Sequence, residues 1–192
     1  MRKVSLIVAV LAAAMILALP LSAQDKSVEE AKEAFKTDVE ITKIQAFSYC
    51  TVEMTGSYEQ HPDAFMKLYT AAGQQGLPMN EVPFGIYYNS PDDADEKDLK
   101  WEIGFPIPKD KDVQAPLVKK EWKYTMVAQQ EFTGAIDSDE MRAVYITMFE
   151  WIGMNGYELD GPMMERFLNT PMPNEKGEYI GKIQIVYPVK KK

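Results

Sequence analysis

One acidic side chain lies where a strand pattern would bury it. Met163, Glu165 and Phe167 alternate along the sequence, so on a strand they would share one face and the carboxylate would have apolar neighbours. Burying a charge costs free energy unless a partner compensates it. Such a carboxylate could attract a bound cation or act as a general base on a water molecule. An ion pair with a nearby Lys or Arg, or a place on a wet edge, would explain it equally well.

The sequence offers little material for other catalytic or metal sites. His61 is the only histidine, and His-Pro-Asp at a helix start is typical of a cap or surface feature. Cys50 is the only cysteine, so we expect it to be buried or paired between chains, and zinc sites built on His and Cys lack ligands. There is no Gly-rich phosphate loop or Gly-x-Ser-x-Gly elbow, and haem would find only His61 or a Met as axial ligand. We therefore predict no cofactor and no metal.

The charge balance argues against nucleic acid as a partner. The chain of 192 residues has a formal net charge of −8, and such a surface repels phosphate backbones. The last three residues, Lys190 to Lys192, form a basic tail that is typical of a frayed, solvated end.

The N-terminus has the pattern of a secretory signal peptide. Arg2 and Lys3 provide the positive start, an apolar run follows, and Leu21-Ser22-Ala23 is a small-residue cleavage site. A membrane anchor is the alternative, but the uncharged run is short for a span of roughly 20 residues. We predict a signal peptide over 1–23, a lead-in segment over 24–37, and an exported protein, periplasmic or secreted, that is free of the membrane after cleavage.

The rest of the chain alternates between strand and helix signals, and the order occurs twice. β-Branched and aromatic runs predict strands, and apolar stripes at helical spacing, bounded by Pro, Ser or Gly, predict helices. In the first half we predict a strand from Val39 to Met54, a helix from His61 to Gly73 or Gly76, strands over 84–88 and 99–105, and a connector over 109–116. In the second half we predict a strand over 122–132, a helix capped by Asp137-Ser138-Asp139-Glu140 and ended by Gly153 and Gly156, and strands that include Glu165 and the segment 182–189.

Sequence landmarks in the two halves match in order. Gly156-Tyr157 corresponds to Gly76-Leu77, and Leu168-Asn169-Thr170-Pro171 corresponds to Tyr88-Asn89-Ser90-Pro91. We therefore predict an α+β protein of two tandem strand-helix-strand-strand modules, repeats of about 38–108 and 117–189, with antiparallel sheets and pseudo-two-fold symmetry. Ligands prefer grooves where such modules meet. In this alignment Glu165 corresponds to Gly85, so a carboxylate stands in one copy where the other has no side chain.

Several segments together resemble the GyrI-like small-molecule-binding domain, also found as the effector-binding domain of Rob- and BmrR-type multidrug regulators. The matching residues are Phe149-Glu150-Trp151-Ile152, Asn155 to Leu159, Gly161 to Leu168 and Ile183 to Val189, together with Pro83 to Tyr88 and Trp101 to Pro106 in the first half. The resemblance covers residues 38–192 approximately, and 24–37 leaves no room for a DNA-binding helix-turn-helix.

The resemblance implies an aromatic groove with a buried Glu that meets apolar or cationic molecules. Glu165 matches that Glu, whereas Phe167 stands where the family often has Tyr, and Gln184 where it often has a carboxylate. Aromatic faces attract cations, and a desolvated carboxylate adds a charge partner. The predicted ligand-binding residues are Glu165, Phe167, Tyr87, Glu102, Tyr145, Trp151 and Tyr187. Core packing is the alternative role for Tyr145 and Trp151.

Three functions remain open at this point. The first is an exported binding protein for a small apolar or cationic molecule. The second is a hydrolase of reactive electrophilic compounds, as some relatives are, with Glu165, alone or together with Glu102, as general base. The third is a structural or interaction module whose groove is filled by its own side chains or by a partner chain. The natural ligand and the oligomeric state do not follow from the sequence.

Overall fold

Two α-helices and one antiparallel sheet make up the described part of the chain, so the fold is α+β as predicted. The computed structural model describes residues 38–136 and 138–192. The predicted signal peptide, the lead-in segment and Asp137 lie outside the described residues. The strands are β1 (Glu40–Lys43), β2 (Phe47–Thr55), β3 (Phe84–Tyr87), β4 (Lys100–Pro106), β5 (Val118–Trp122), β6 (Met126–Ala135), β7 (Tyr157–Leu159), β8 (Met163–Phe167), β9 (Met172–Pro173) and β10 (Tyr179–Lys191); the helices are α1 (His61–Gln74) and α2 (Asp139–Met154).

The strands of the two halves meet at the centre of the sheet. The order is β1-β6-β10-β8-β3-β4-β2-β5, with β7 and β9 paired to β10. β3 from the first half and β8 from the second are direct neighbours, joined antiparallel. The elements thus follow the predicted succession of strand, helix and strands, while the pseudo-two-fold symmetry stays a prediction.

Both helices begin and end near the predicted residues. Pro62 lies in the first turn of α1, where a missing N–H costs nothing. The Ser138 hydroxyl accepts a hydrogen bond from the backbone N–H of Met141 at 3.1 Å and so caps α2. After each helix a glycine adopts a left-handed backbone, with φ of +62° at Gly76 and +77° at Gly156.

The prediction of one unbroken strand at the start of each half is wrong. β1 pairs with β6, whereas β2 pairs with β4 and β5. In the same way β5 and β6 pair with opposite ends of the sheet. The three-residue connections 44–46 and 123–125 separate the members of each pair. A run of β-branched and aromatic residues therefore predicted strand correctly, but it could not locate the point at which the chain crosses the sheet.

These two connections require the sheet to curl. Six strand spacings separate β1 from β2 along the sheet, which is about 29 Å if the sheet is flat. Three linking residues reach only about 14 Å. The two connections are also joined to each other, since the Ile44 N–H donates to the Thr125 carbonyl oxygen at 3.0 Å. The sheet consequently has a concave side, which we call the inner face, and a helix face that carries α1 and α2.

Each face has its own hydrophobic core. The inner-face core contains the buried side chains of Tyr49, Phe84, Ile86, Trp122, Val127, Met164 and Val186. On the helix face, α1 packs on β4 and β2, and α2 packs on β6 and β7. Cys50 is buried there as a free thiol, with none of its surface exposed. Within residues 38–136 and 138–192, neither helix is long and apolar enough to cross a membrane.

Candidate functional site

Strand register places the two buried carboxylates on opposite faces of the sheet. On β3, Gly85 lies opposite Glu165 of β8, and the next residue, Ile86, lies opposite Glu102 of β4. Successive side chains of a strand point to opposite faces, and cross-strand neighbours share a face. Glu165 therefore belongs to the helix face and Glu102 to the inner face. The sequence left open whether the two carboxylates share one cavity. In the fold they do not, because the sheet lies between them.

The Glu165 carboxylate is held by two tyrosine hydroxyls from different elements. It is 8% exposed. Tyr145 of α2 donates to Oε1 at 2.6 Å, and Tyr87 of β3 donates to Oε2 at 3.1 Å. Hydrogen bonds to an ionised acceptor are stronger than neutral ones, so these contacts stabilise the charged form. Two of the predicted residues thus contact the predicted carboxylate directly.

Gly85 explains how Tyr87 reaches the carboxylate. Tyr87 lies opposite Met163, two positions along the strand pair from Glu165, so its ring must fold back over Gly85. A Cβ at position 85 would be 2.6 Å from the Tyr87 Oη and 2.9 Å from its Cζ. Real Cβ atoms essentially never come that close to a heavy atom. The missing side chain at Gly85 and the bond from Tyr87 to Glu165 therefore depend on each other.

His61 extends this arrangement from the start of α1. Its Nε2 lies 2.9 Å from the Tyr87 Oη, and its Nδ1 faces the carbonyl oxygen of Tyr58. The His61 ring centroid is 4.5 Å from that of Trp101, and the Tyr58 ring meets those of Tyr87 and Trp101 edge-on at 5.2 and 5.8 Å. Tyr87 thus links an imidazole on one side to the Glu165 carboxylate on the other.

Side chains from both helices reach the helix face of β3 and β8. From α1, the Phe65 ring meets Phe167 edge-on, with centroids 5.4 Å apart. From α2, Tyr145 reaches Glu165 as described above. Phe65, Tyr145, Met163 and Phe167 are only half-buried, so part of the aromatic and thioether surface near Glu165 is accessible.

The two remaining predicted helix-face residues lie further from the carboxylate. Tyr187 is on the helix face of β10, two residues beyond Ile185, which lies opposite Glu165. Trp151 is half-buried on α2 and packs against the core beneath that helix. Tyr187 thus lies on the same face as Glu165 but one strand away, and Trp151 has the core-packing role that was the alternative for a helical aromatic residue.

The Glu165 charge acts on the surrounding phenols. Burial, followed by the nearby Glu165 carboxylate, raises the pKa of Tyr58 and of Tyr187 to about 12. The same two causes raise the pKa of Tyr87 well above its ordinary value of 10. These phenols therefore stay protonated at neutral pH and remain hydrogen-bond donors.

Glu102 forms a separate, compensated ion-pair cluster. Its side chain is fully buried. Oε1 accepts hydrogen bonds from Tyr49 at 2.7 Å and Tyr88 at 3.0 Å, and Oε2 pairs with Lys120 at 2.5 Å. Lys120 also pairs with Glu53 at 2.7 Å. Glu102 is thus paired with a Lys, which was the structural alternative considered for a buried Glu. If Glu102 binds a ligand, as predicted, it does so at a different place from Glu165.

Three residues near the site were not predicted from sequence. Tyr58, His61 and Trp101 reach Tyr87 from a 3₁₀ turn, a helix start and a strand that are far apart in sequence. The only local signal was the His at the first turn of α1, which is equally typical of a cap. As for metals, the described residues contain no group of three or more His, Cys, Asp or Glu side chains that could hold an ion.

Known structures share this fold at low sequence identity. EcmrR, solved by cryo-EM in a complex with DNA, is 17% identical over 90% of this chain, with a TM-score of 0.63. This chain covers 65% of EcmrR, slightly less than two thirds of that protein. A hydrolase from Listeria innocua is 12% identical over 84% of this chain and 98% of its own, with a TM-score of 0.58. SAV2435 bound to tetraphenylphosphonium is 13% identical over 80% of this chain and 94% of its own, with a TM-score of 0.51.

The family comparison covers most of the described residues. At the identities above, structural likeness shows a common fold and nothing further, and no curated protein matches the chain significantly. Residues 37–188, however, match the family model for the GyrI-like small molecule binding domain. That range contains both helices, almost all of the sheet, Glu165 and every residue that contacts its carboxylate in the paragraphs above. The chain therefore belongs to the GyrI-like small molecule binding domain family.

Proposed function

We propose that this chain is an exported small-molecule-binding protein that takes an apolar or cationic ligand in the groove between α1 and α2. The observation that carries the proposal is the Glu165 carboxylate, 8% exposed and surrounded by aromatic side chains on the helix face. Export rests on the predicted signal peptide alone.

A cation would find two kinds of attraction in this groove. Aromatic faces attract positive charge through the ring quadrupole, and Phe65, Phe167 and Tyr145 present such faces. The carboxylate adds a charge partner in a site with little water, where Coulomb attraction is stronger than in bulk solvent. SAV2435, which shares the fold, has been solved with tetraphenylphosphonium. This apolar cation is therefore a suitable probe.

Calorimetric titration with tetraphenylphosphonium tests the proposal. We expect saturable binding to the wild-type chain, and we expect the Glu165→Gln variant to bind at least about tenfold more weakly, because the charge partner is lost while the shape is kept. Tetraphenylborate has the same shape and the opposite charge, so it should bind far more weakly than the phosphonium.

A matched variant separates the local charge from the overall charge. Glu158→Gln removes one exposed carboxylate on β7, which pairs with Lys190, and should leave phosphonium affinity unchanged. Equal affinities for the phosphonium and the borate, or wild-type affinity in Glu165→Gln, would contradict a role for Glu165 as charge partner. Absence of any saturable binding would favour a structural or interaction module whose groove is filled.

One observation also supports a second candidate function, hydrolysis of a reactive electrophile. The Tyr87 hydroxyl donates to the Glu165 carboxylate at 3.1 Å and lies 2.9 Å from the His61 Nε2, so these three groups form a hydrogen-bonded path for a proton. In this reaction Glu165 would take a proton from water as the water oxygen bonds to an epoxide carbon and the epoxide C–O bond breaks. The oxygen released from that bond would take the Tyr87 hydroxyl proton, and the protonated Glu165 would return a proton to Tyr87. Mass spectrometry of an aryl epoxide incubated with the chain should then show a diol, and Glu165→Gln should abolish its formation. An unchanged epoxide would leave binding as the function.

A further inference from the structure

A cavity lies on the other side of the sheet from Glu165. It has a volume of about 310 Å³ and opens on the inner face, beside the connection 44–46. This volume is at the lower end of the roughly 300–1,000 Å³ typical of small-molecule sites. Its lining residues are Ile44, Gln45, Phe47, Phe84, Pro106, Gln129, Met164, Arg166, Gln184 and Val186. Most of these side chains are apolar, and Arg166 is the one that carries a charge.

Arg166 has unused hydrogen-bonding capacity. It is half-buried, and its Nη1 donates to the Gln184 Oε1 at 2.7 Å. A guanidinium has five N–H donors in a planar fork. Across the residues that the structure describes, no carboxylate lies within 4.0 Å of it. The acidic residue opposite Gln184 is Glu131, which pairs with Lys182 at 2.7 Å.

Lys120, a half-buried cation on the same inner face, provides a contrast. Lys120 contacts two carboxylates, Glu102 and Glu53, at 2.5 and 2.7 Å, so its charge is compensated within the chain. At Arg166 a neutral amide, Gln184, stands where a carboxylate would complete an ion pair. Half-buried charge is costly without a partner, and the planar guanidinium fits the two oxygens of a carboxylate well. The difference between the two cations identifies Arg166 as a place where an anion would be stabilised.

We propose that this cavity binds a free aliphatic monocarboxylate of medium chain length, with its carboxylate on Arg166 and its hydrocarbon chain against Phe47, Phe84 and Met164. The apolar walls exclude a small inorganic anion as a good fit, because they would offer it no hydrogen bonds. The site is independent of the function proposed for Glu165, since the sheet separates the two.

Decanoate is a direct probe, with 1-decanol and decyltrimethylammonium as neutral and cationic ligands of matched length. In calorimetric titrations we expect decanoate to saturate the purified wild-type chain and to bind more tightly than both. Arg166→Gln should weaken decanoate binding about ten- to hundredfold, the value of a hydrogen-bonded charge contact, and should leave decanol binding unchanged. Arg142→Gln, an exposed Arg on α2, is the matched control and should keep wild-type affinity.

A second variant protects the test against misfolding. Gln184→Glu keeps Arg166 but places a carboxylate beside it, so the guanidinium is already paired and decanoate should again bind at least about tenfold more weakly. Circular dichroism establishes which variants are folded, and if Arg166→Gln is not, Gln184→Glu decides. Three results would overturn the proposal: no saturation by decanoate below about 1 mM, equal affinities for decanoate and decanol, or wild-type decanoate affinity in a folded variant of either residue.

Discussion

Replacing Gly85 with Ala should detach Tyr87 from Glu165. The new Cβ would lie 2.6 Å from the Tyr87 Oη, 2.9 Å from Cζ and 3.0 Å from Cε2. Tyr87 is 8% exposed and packs against the Tyr58 and His61 rings, so its own ring has little free space to move into. The substitution must therefore either strain this packing or break the hydrogen bonds that join the Tyr87 hydroxyl to Glu165 and to His61.

The size of the effect follows from these two routes. Overpacking a filled core costs about 1–3 kcal/mol, and losing a hydrogen bond to a charged acceptor costs about 1.5–3 kcal/mol. Ala has an advantage over Gly within a strand of about 0.5–1 kcal/mol, because Gly loses more conformational entropy on folding. Since the side chain will take the route of lower energy and the Ala advantage offsets part of its cost, we expect the free energy of unfolding to fall by about 1–2 kcal/mol.

Urea unfolding, followed by circular dichroism, measures this change. Gly153→Ala is the control, because the added Cβ in α2 would meet no atom within 4 Å apart from its chain neighbours and the backbone of its own helix, and it should be neutral or stabilising by up to about 1 kcal/mol. In a Tyr87→Ala background the ring is absent, so Gly85→Ala should be neutral or stabilising by up to about 1 kcal/mol there. The reasoning is refuted if Gly85→Ala leaves stability unchanged, or if it costs the same with and without the Tyr87 ring.

Two further predictions concern the ionisable groups of the two faces. Because the pKa of Tyr58 and Tyr187 is raised from 10 to about 12, the unfolded chain loses these protons first, so stability should be complete below pH 10 and fall as the pH rises to about 12. Ultraviolet titration of tyrosinate should show a group of phenols that ionise late. Glu165→Gln should lower the pKa of the phenols near Glu165. It should leave the pKa of Tyr88 unchanged, because that pKa is raised by burial and Glu102. On the inner face, Lys120→Met should lower the free energy of unfolding by about 3–5 kcal/mol, because it leaves the fully buried Glu102 without its cation. Lys119→Met is the control, because it removes an ion pair at 3.7 Å with Asp112, whose side chain is fully exposed, and it should cost less than about 1 kcal/mol. Urea unfolding measures both variants, and similar costs for the two would contradict this account.

Much of the site could be predicted because its signals are local. The two-residue period of β8 is sufficient to place Glu165 among apolar neighbours, and it holds wherever the strand lies in the sheet. Helix boundaries likewise follow from the Pro, Ser and Gly residues next to them. The alignment of the halves pointed to Gly85 as the counterpart of Glu165, and Gly85 is the residue opposite Glu165 in the sheet.

The partners of Glu165 depended on distances that no local pattern contains. Tyr87 is 78 residues away and Tyr145 is 20 residues away, and their meeting requires β3 to lie beside β8 with α2 above. His61 looked like a cap because its sequence neighbours resemble one, and only the fold brings it to Tyr87. The broken strands were missed for a similar reason, since β-propensity describes each residue and not its pairing partner.

The sequence by itself determined the α+β class, the two helices, the family resemblance and the carboxylate at position 165. The tertiary structure decided which face of the sheet each charge occupies: Glu165 with its tyrosines beneath the helices, Glu102 with Lys120 on the inner face, and Arg166 beside a cavity without a carboxylate. The physical reason is register. A shift of one residue between neighbouring strands would send every side chain to the other face without changing a single local preference, and only the packing of the complete sheet fixes that choice.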